Sequence, residues 1–178
     1  MRAWSSSRRS LTAELWPDAV ERVAATLREA RIEARVEEFK DGTPTAEDAA
    51  AAVGCRLGQI VKSLLFACDE RWVLALVPGD RRADRAKIAT AARCERAKIA
   101  GPEDVARVTG FEAGGVAPFP LPGVHVVLIE RTLLSHEVVW VGAGSRRHMA
   151  AIAPTDIVRM TRARAVDAVS ENETERTG

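Results

Sequence analysis

A chain of 178 residues with 47% hydrophobic and 29% charged side chains is one globular domain with a little chain to spare. A formal net charge of +1 excludes a wholesale basic nucleic-acid binder, although a local cationic patch stays compatible with RNA. No apolar run reaches the roughly 18–20 residues needed to cross a bilayer, and no apolar stretch follows the arginines of the opening MRAWSSSRRSLTAELWP. Neither a membrane span nor a secretory signal is expected, and a cytoplasmic address follows. Cys55, Cys68 and Cys94 are odd in number and lack CxxC spacing, which argues against both a disulfide framework and structural zinc. With His125, His136 and His148 as the only histidines, no metal centre and no cofactor are expected.

Residues 1–15 are polar and aperiodic and read as a mobile tail. Val20, Val23, Ala24, Leu27 and Ala30 recur at helical spacing, predicting an amphipathic helix from a cap at Asp18 to about Arg31. Arg35 to Phe39 reads as a strand, and DGTP as a turn. Thr45 with Asp48 three residues on resembles a capping box, opening a second helix that ends at Gly54. Ile60–Ala67 and Trp72–Val77 are apolar runs around a turn, a buried antiparallel hairpin. Helices are predicted at Ala83–Ala91 and Pro102–Thr109. GFEAGGVAPFPLPG is then a loop long enough to suggest a function. Strands at Val124–Glu130 and Val138–Val141, the turn GAGSRRH, a helix at Pro154–Met160 and a strand at Ala165–Val169 complete the order, with a polar tail over 170–178. Helices and strands mix without βαβ alternation. The fold class is therefore α+β, a single domain over residues 16–169 whose mixed, mostly antiparallel curved sheet is flanked by helices.

Three segments resemble the YbaK/EbsC family and the editing insertion of bacterial prolyl-tRNA synthetases. They are TAEDAAAAVGCRLGQIVKSLLF, LVPGDRRADRAKIA and TGFEAGGVAPF, with VGAGSRRHMAAIAPTDI a weaker fourth, all in register over about residues 18–165. The resemblance implies a free-standing hydrolase that removes wrong amino acids from mischarged tRNA, with tRNA(Pro) the carrier and prolyl-tRNA synthetase a partner. The alternative is a non-catalytic tRNA- or synthetase-binding module of the same fold. After Pro118 the chain departs from the family pattern, because FPLP stands where Leu-Gly is usual.

The resemblance marks Lys62, in its VKSL setting, as the essential residue, a fixed cation for the terminal adenosine. A lysine among apolar neighbours must reach a cleft or the surface in any case. Ser63 falls on the opposite side of the strand, where core packing and pocket tuning both remain open. By resemblance the GxxxP loop, Gly114, Gly115, Val116, Ala117 and Pro118, lines the aminoacyl pocket. Its glycines let backbone N–H groups approach an ester, and Phe119 is expected to act as a stiff size-sorting wall. Gly142, Gly144 and Ser145 are either a second wall or a hairpin turn. Arg81, Arg82, Arg85 and Lys87 are either a solvated helix face or phosphate contacts for tRNA. His136 and His148 read as ordinary surface residues.

Overall fold

The computed structural model describes residues 15–170, so the residue 1–14 part of the expected N-terminal tail and the 171–178 part of the C-terminal one lie outside the described residues. The first helix, α1, spans Asp18–Glu29 with Pro17 in the cap position, so Asp18 is its first residue and not its cap. Strand β1 is Arg35–Glu38. Helix α2 (Ala46–Val53) starts as expected: the Thr45 hydroxyl accepts from the Asp48 amide at 3.1 Å. It ends at Gly54, whose φ of 70° is the left-handed conformation glycine adopts without strain. A 3₁₀ turn over Leu57–Gln59 leads into β2 (Val61–Cys68), and β3 (Arg71–Pro78) returns antiparallel to it.

Helix α3 (Arg85–Ala92), capped by the Asp84 carboxylate, is followed by β4 (Ala97–Ile99), a three-residue strand too short to show any period. Helix α4 covers Pro102–Thr109 and β5 Val126–Glu130, two residues later than the sequence suggests. After a 3₁₀ turn over Arg131–Ser135 come β6 (Val139–Gly142), β7 (His148–Ile152), α5 (Pro154–Thr161) and β8 (Arg164–Val166). All of β7 is buried, so its HMAAI run carries no alternation to betray it. The last strand is shorter and earlier than Ala165–Val169; Val169 instead bridges Ala83.

The α+β class holds, with the strands divided over two sheets. One has the order β4-β2-β3-β5-β8 and the other β1-β7-β6. Four ladders are antiparallel, while β3-β5 and β5-β8 are parallel. The large sheet is covered on both faces. Leu74 and Leu76 of β3 join Val139, Val141 and Ile152 of the small sheet in one core cluster. Val73, Ala75 and Val77 pack with Ile88 and Ala92 of α3 in another. Burial on both faces explains why WVLALV is continuously apolar. A third cluster seats Ala49 and Ala50 of α2 on Ile60, Trp140 and Met149, which fixes one wall of the cleft described next.

Candidate active site

Lys62 and Ser63 lie in the half of β2 that β4 does not cover, since β4 pairs only with Phe66, Ala67 and Cys68. The Ile60 carbonyl accepts from Gly79 N–H at 2.8 Å, and the Leu65 carbonyl from Ala100 N–H at 2.9 Å. Main-chain groups alternate along an antiparallel ladder. Ser63 therefore turns its amide and carbonyl away from β3, toward the uncovered edge.

A cleft of about 250 Å³ follows this half-strand. Residues from Ile60 to Leu64 form one side, with Thr43 to Ala46 and Ala49 beside them; Gly114, Val116, Gly142, His148 and Met149 close the other. Both Lys62 and Ser63 border it, although an ideal strand would send them to opposite faces. The Lys62 ammonium donates to the Arg81 carbonyl at 2.5 Å. Burial draws its pKa below the ordinary lysine range; the Asp80 and Glu47 carboxylates oppose that shift and Arg82 adds to it. The cation is thus anchored to the turn after β3, at the mouth of the cleft.

The GxxxP loop and the GAGS turn are joined main chain to main chain. Gly144 N–H donates to the Gly115 carbonyl at 2.9 Å. A Cβ on Gly115 would stand 2.7 Å from Ser145 backbone, and one on Gly142 would stand 2.5 Å from the Val116 carbonyl oxygen. Their glycines serve close packing of the two loops. Arg146 reinforces the junction by donating to the Ala113 carbonyl at 2.9 Å. Of the GAGS turn, Gly142 lines the cleft, and Gly144 and Ser145 do not. Ala117, Pro118 and Phe119 are buried, and Phe119, 4% exposed, belongs to the main core cluster and does not line the cleft.

His148 corrects the sequence reading. It is 3% exposed and lines the cleft. The Ser145 hydroxyl accepts from Arg147 N–H at 3.1 Å and lies 2.7 Å from His148 Nδ1. The hydroxyl either donates to a bare Nδ1, which puts the ring hydrogen on Nε2, or accepts from Nδ1–H with its second lone pair. Burial lowers the pKa of His148, so the ring is neutral near pH 7; Glu38 opposes the shift and Arg147 adds to it. Among the described residues, Ser63 Oγ and His148 Nε2 are the buried side-chain polar atoms without a hydrogen-bond partner. Both residues line the same cleft, and the Glu38 carboxylate lies 4.0 Å from Nε2. The three-residue spacing of Ser145 and His148 just after the glycines of the GAGS turn was the one trace of this in the sequence.

The cationic cluster is only partly brought together. Arg81, half-buried, sits beside Lys62, and Arg82 and Arg85 are exposed. Lys87 is engaged elsewhere: its ammonium donates to both oxygens of Asp167, at 3.0 and 2.9 Å, and to the Val169 carbonyl at 2.8 Å. No group of three or more His, Cys, Asp or Glu side chains among the described residues could hold a metal ion, and no described helix is long and apolar enough to cross a membrane.

The aminoacyl-tRNA editing domain profile matches residues 40–160, which include every cleft residue. The chain belongs to the aminoacyl-tRNA editing domain family. The editing domain is 31% identical to the uncharacterized protein YwhH of Bacillus subtilis (strain 168), over 68% of this chain and 78% of that one. It is also 31% identical to a proline--tRNA ligase of Nitratidesulfovibrio vulgaris (strain DP4), over 73% of this chain but only 22% of the ligase. A crystal structure of a protein proposed as a trans-editing enzyme for prolyl tRNA synthetase superimposes with a TM-score of 0.81 at 31% identity, covering 88% of this chain and all of that one.

Proposed function

We propose that this editing domain is a trans-acting deacylase that hydrolyses the ester of a mischarged tRNA, with tRNA(Pro) bearing a small wrong amino acid as its substrate. The observation that supports this most is that the two residues with an unpartnered buried polar atom, Ser63 and His148, line one cleft together with an anchored lysine. Buried polar groups are paired in the large majority of cases, so two exceptions on one cleft point to a ligand that completes them. A cleft of about 250 Å³ suits a small aminoacyl group.

In this reading Lys62 holds the phosphate or sugar of the terminal adenosine as a point charge. In the tautomer in which Ser145 donates to Nδ1, the Nε2–H of His148 donates to an acceptor on the aminoacyl ester, and Ser63 Oγ, with the main chain beside it, takes the remaining polar contact. Arg81 meets a phosphate near the 3′ end, and Arg82 and Arg85 meet phosphates of the acceptor stem. No side-chain nucleophile is required. The ester is already activated, and the neighbouring ribose hydroxyl can orient water while the cleft supplies positioning and electrostatic stabilisation. Prolyl-tRNA synthetase is the partner whose errors such an activity would correct, and the work would be done in the cytoplasm.

The test is a deacylation screen of the purified protein against tRNAs charged with alanine, serine, cysteine, threonine and proline. Release of a small amino acid from tRNA(Pro), with Pro-tRNA(Pro) spared, is the expected result. Binding of charged tRNA with no release of any amino acid would identify a non-catalytic module instead.

A further inference from the structure

A second, smaller cleft of about 170 Å³ lies across the Gly79–Arg81 turn from the first. It is lined by Arg56, Asp80 and Arg81, by Thr132 and Ser135 of the 3₁₀ turn, and by His136 just after that turn. One residue joins the two sites: the Arg81 carbonyl holds the Lys62 ammonium, while Arg81 itself lines the second cleft. Neither the Arg56 nor the Arg81 guanidinium makes an ion pair among the described residues. The Arg56 main-chain amide donates to the Gln59 side chain at 3.2 Å.

Two guanidiniums and an imidazole suit a phosphodiester. Asp80 decides what comes with it. A carboxylate in the same cleft disfavours a bare anion, whereas a nucleotide brings hydrogen-bond donors for it, the exocyclic amine of a base or a ribose hydroxyl. Resting on the reading that the first cleft takes the aminoacyl-adenosine, we infer that the second cleft seats the nucleotide preceding that terminal adenosine. Its phosphodiester lies between Arg56, Arg81 and His136, and its base or sugar donates to Asp80. An RNA strand leaving the first cleft past Lys62 crosses the Gly79–Arg81 turn and reaches this site next.

The experiment uses Arg56→Glu combined with His136→Ala, both outside the first cleft, and two pairs of probes. For binding, the dinucleotide CpA is compared with adenosine and with inorganic phosphate. Wild-type protein should bind CpA at least about tenfold more tightly than either, and the double variant should lose that advantage while keeping its affinity for adenosine. For turnover, an acceptor-stem minihelix charged with alanine is compared with alanyl-adenosine. The variant should slow the minihelix about tenfold or more and leave alanyl-adenosine unchanged. Equal effects on both substrates, no effect on either, or phosphate binding as tight as CpA would each overturn the assignment. If wild-type protein hydrolyses neither substrate but binds CpA in an Arg56-dependent way, the deacylase reading fails and the nucleotide site stands.

Discussion

The two halves of β2 differ more than any two neighbouring stretches of the fold. From Phe66 to Cys68 the strand is paired on both sides, by β3 and β4, and its Phe66 and Cys68 are completely enclosed. From Val61 to Leu64 it keeps β3 but lacks β4, and here it carries a lysine and a serine whose hydroxyl has no partner. A strand paired on both edges is structure; the same strand released by one neighbour becomes a place where a ligand completes what the sheet leaves open. Changes in one half should therefore alter stability, and changes in the other should alter chemistry.

The largest effect expected is at the enclosed end. Phe66→Ala removes a ring that is 1% exposed and should lower unfolding free energy by about 3–5 kcal/mol, measured by denaturant titration, with turnover per folded molecule unchanged. A comparable loss is expected for Phe119→Ala, together with an unmoved ratio of rates for small and larger aminoacyl groups on one tRNA. A shifted ratio would return Phe119 to the pocket wall.

At the open end the effects invert. Lys62→Ala should reduce deacylation at least about 100-fold, the scale of losing one aimed electrostatic contact. It should leave the thermal midpoint equal or higher, because a half-buried charge is removed along with its desolvation cost. A folded Lys62→Ala protein with undiminished turnover would erase the contrast between the two halves.

His148 sharpens the comparison through pH. Its pKa is held below the usual histidine value of 6.5 in the folded protein. As pH falls through about 6.5, the unfolded chain takes up a proton that the folded chain refuses, so stability present above that range declines toward acid. Thermal scans between pH 5 and 8 should show this slope in the wild type and a shallower one in His148→Gln. Deacylation should hold through that range and fall only at lower pH, where the ring of the folded protein itself takes up the proton. The smallest effect is expected for Lys87→Ala. Its pair with Asp167 is partly exposed, so the loss should stay within about 1 kcal/mol, and the salt dependence of tRNA binding should not change.

Much of this was legible in the chain itself. Thr45, Gly54 and the apolar hairpin announce their own local structure, and VKSL with GxxxP in register points to the cleft. Less visible was whatever depends on pairing distant segments. Strand β7 hides because burial on all sides removes its period, and β4 because three residues have none. His148 reads as a surface residue until the hairpin turns it inward and Ser145 claims Nδ1. Phe119 looks like a wall because its loop borders the pocket, yet the loop meets the cleft through Gly114 and Val116 and sends Phe119 into the core.

The contact of Gly115 and Gly142 with the opposing main chain has a consequence for how such a site can change over time. Two walls held backbone to backbone have a spacing that no side chain sets. Trimming a residue does not widen them, and any larger residue at either glycine drives them apart. New substrate ranges in this framework should then arise by inserting or deleting residues in the two loops more readily than by point replacement. A mutational library confined to substitutions would explore mostly losses.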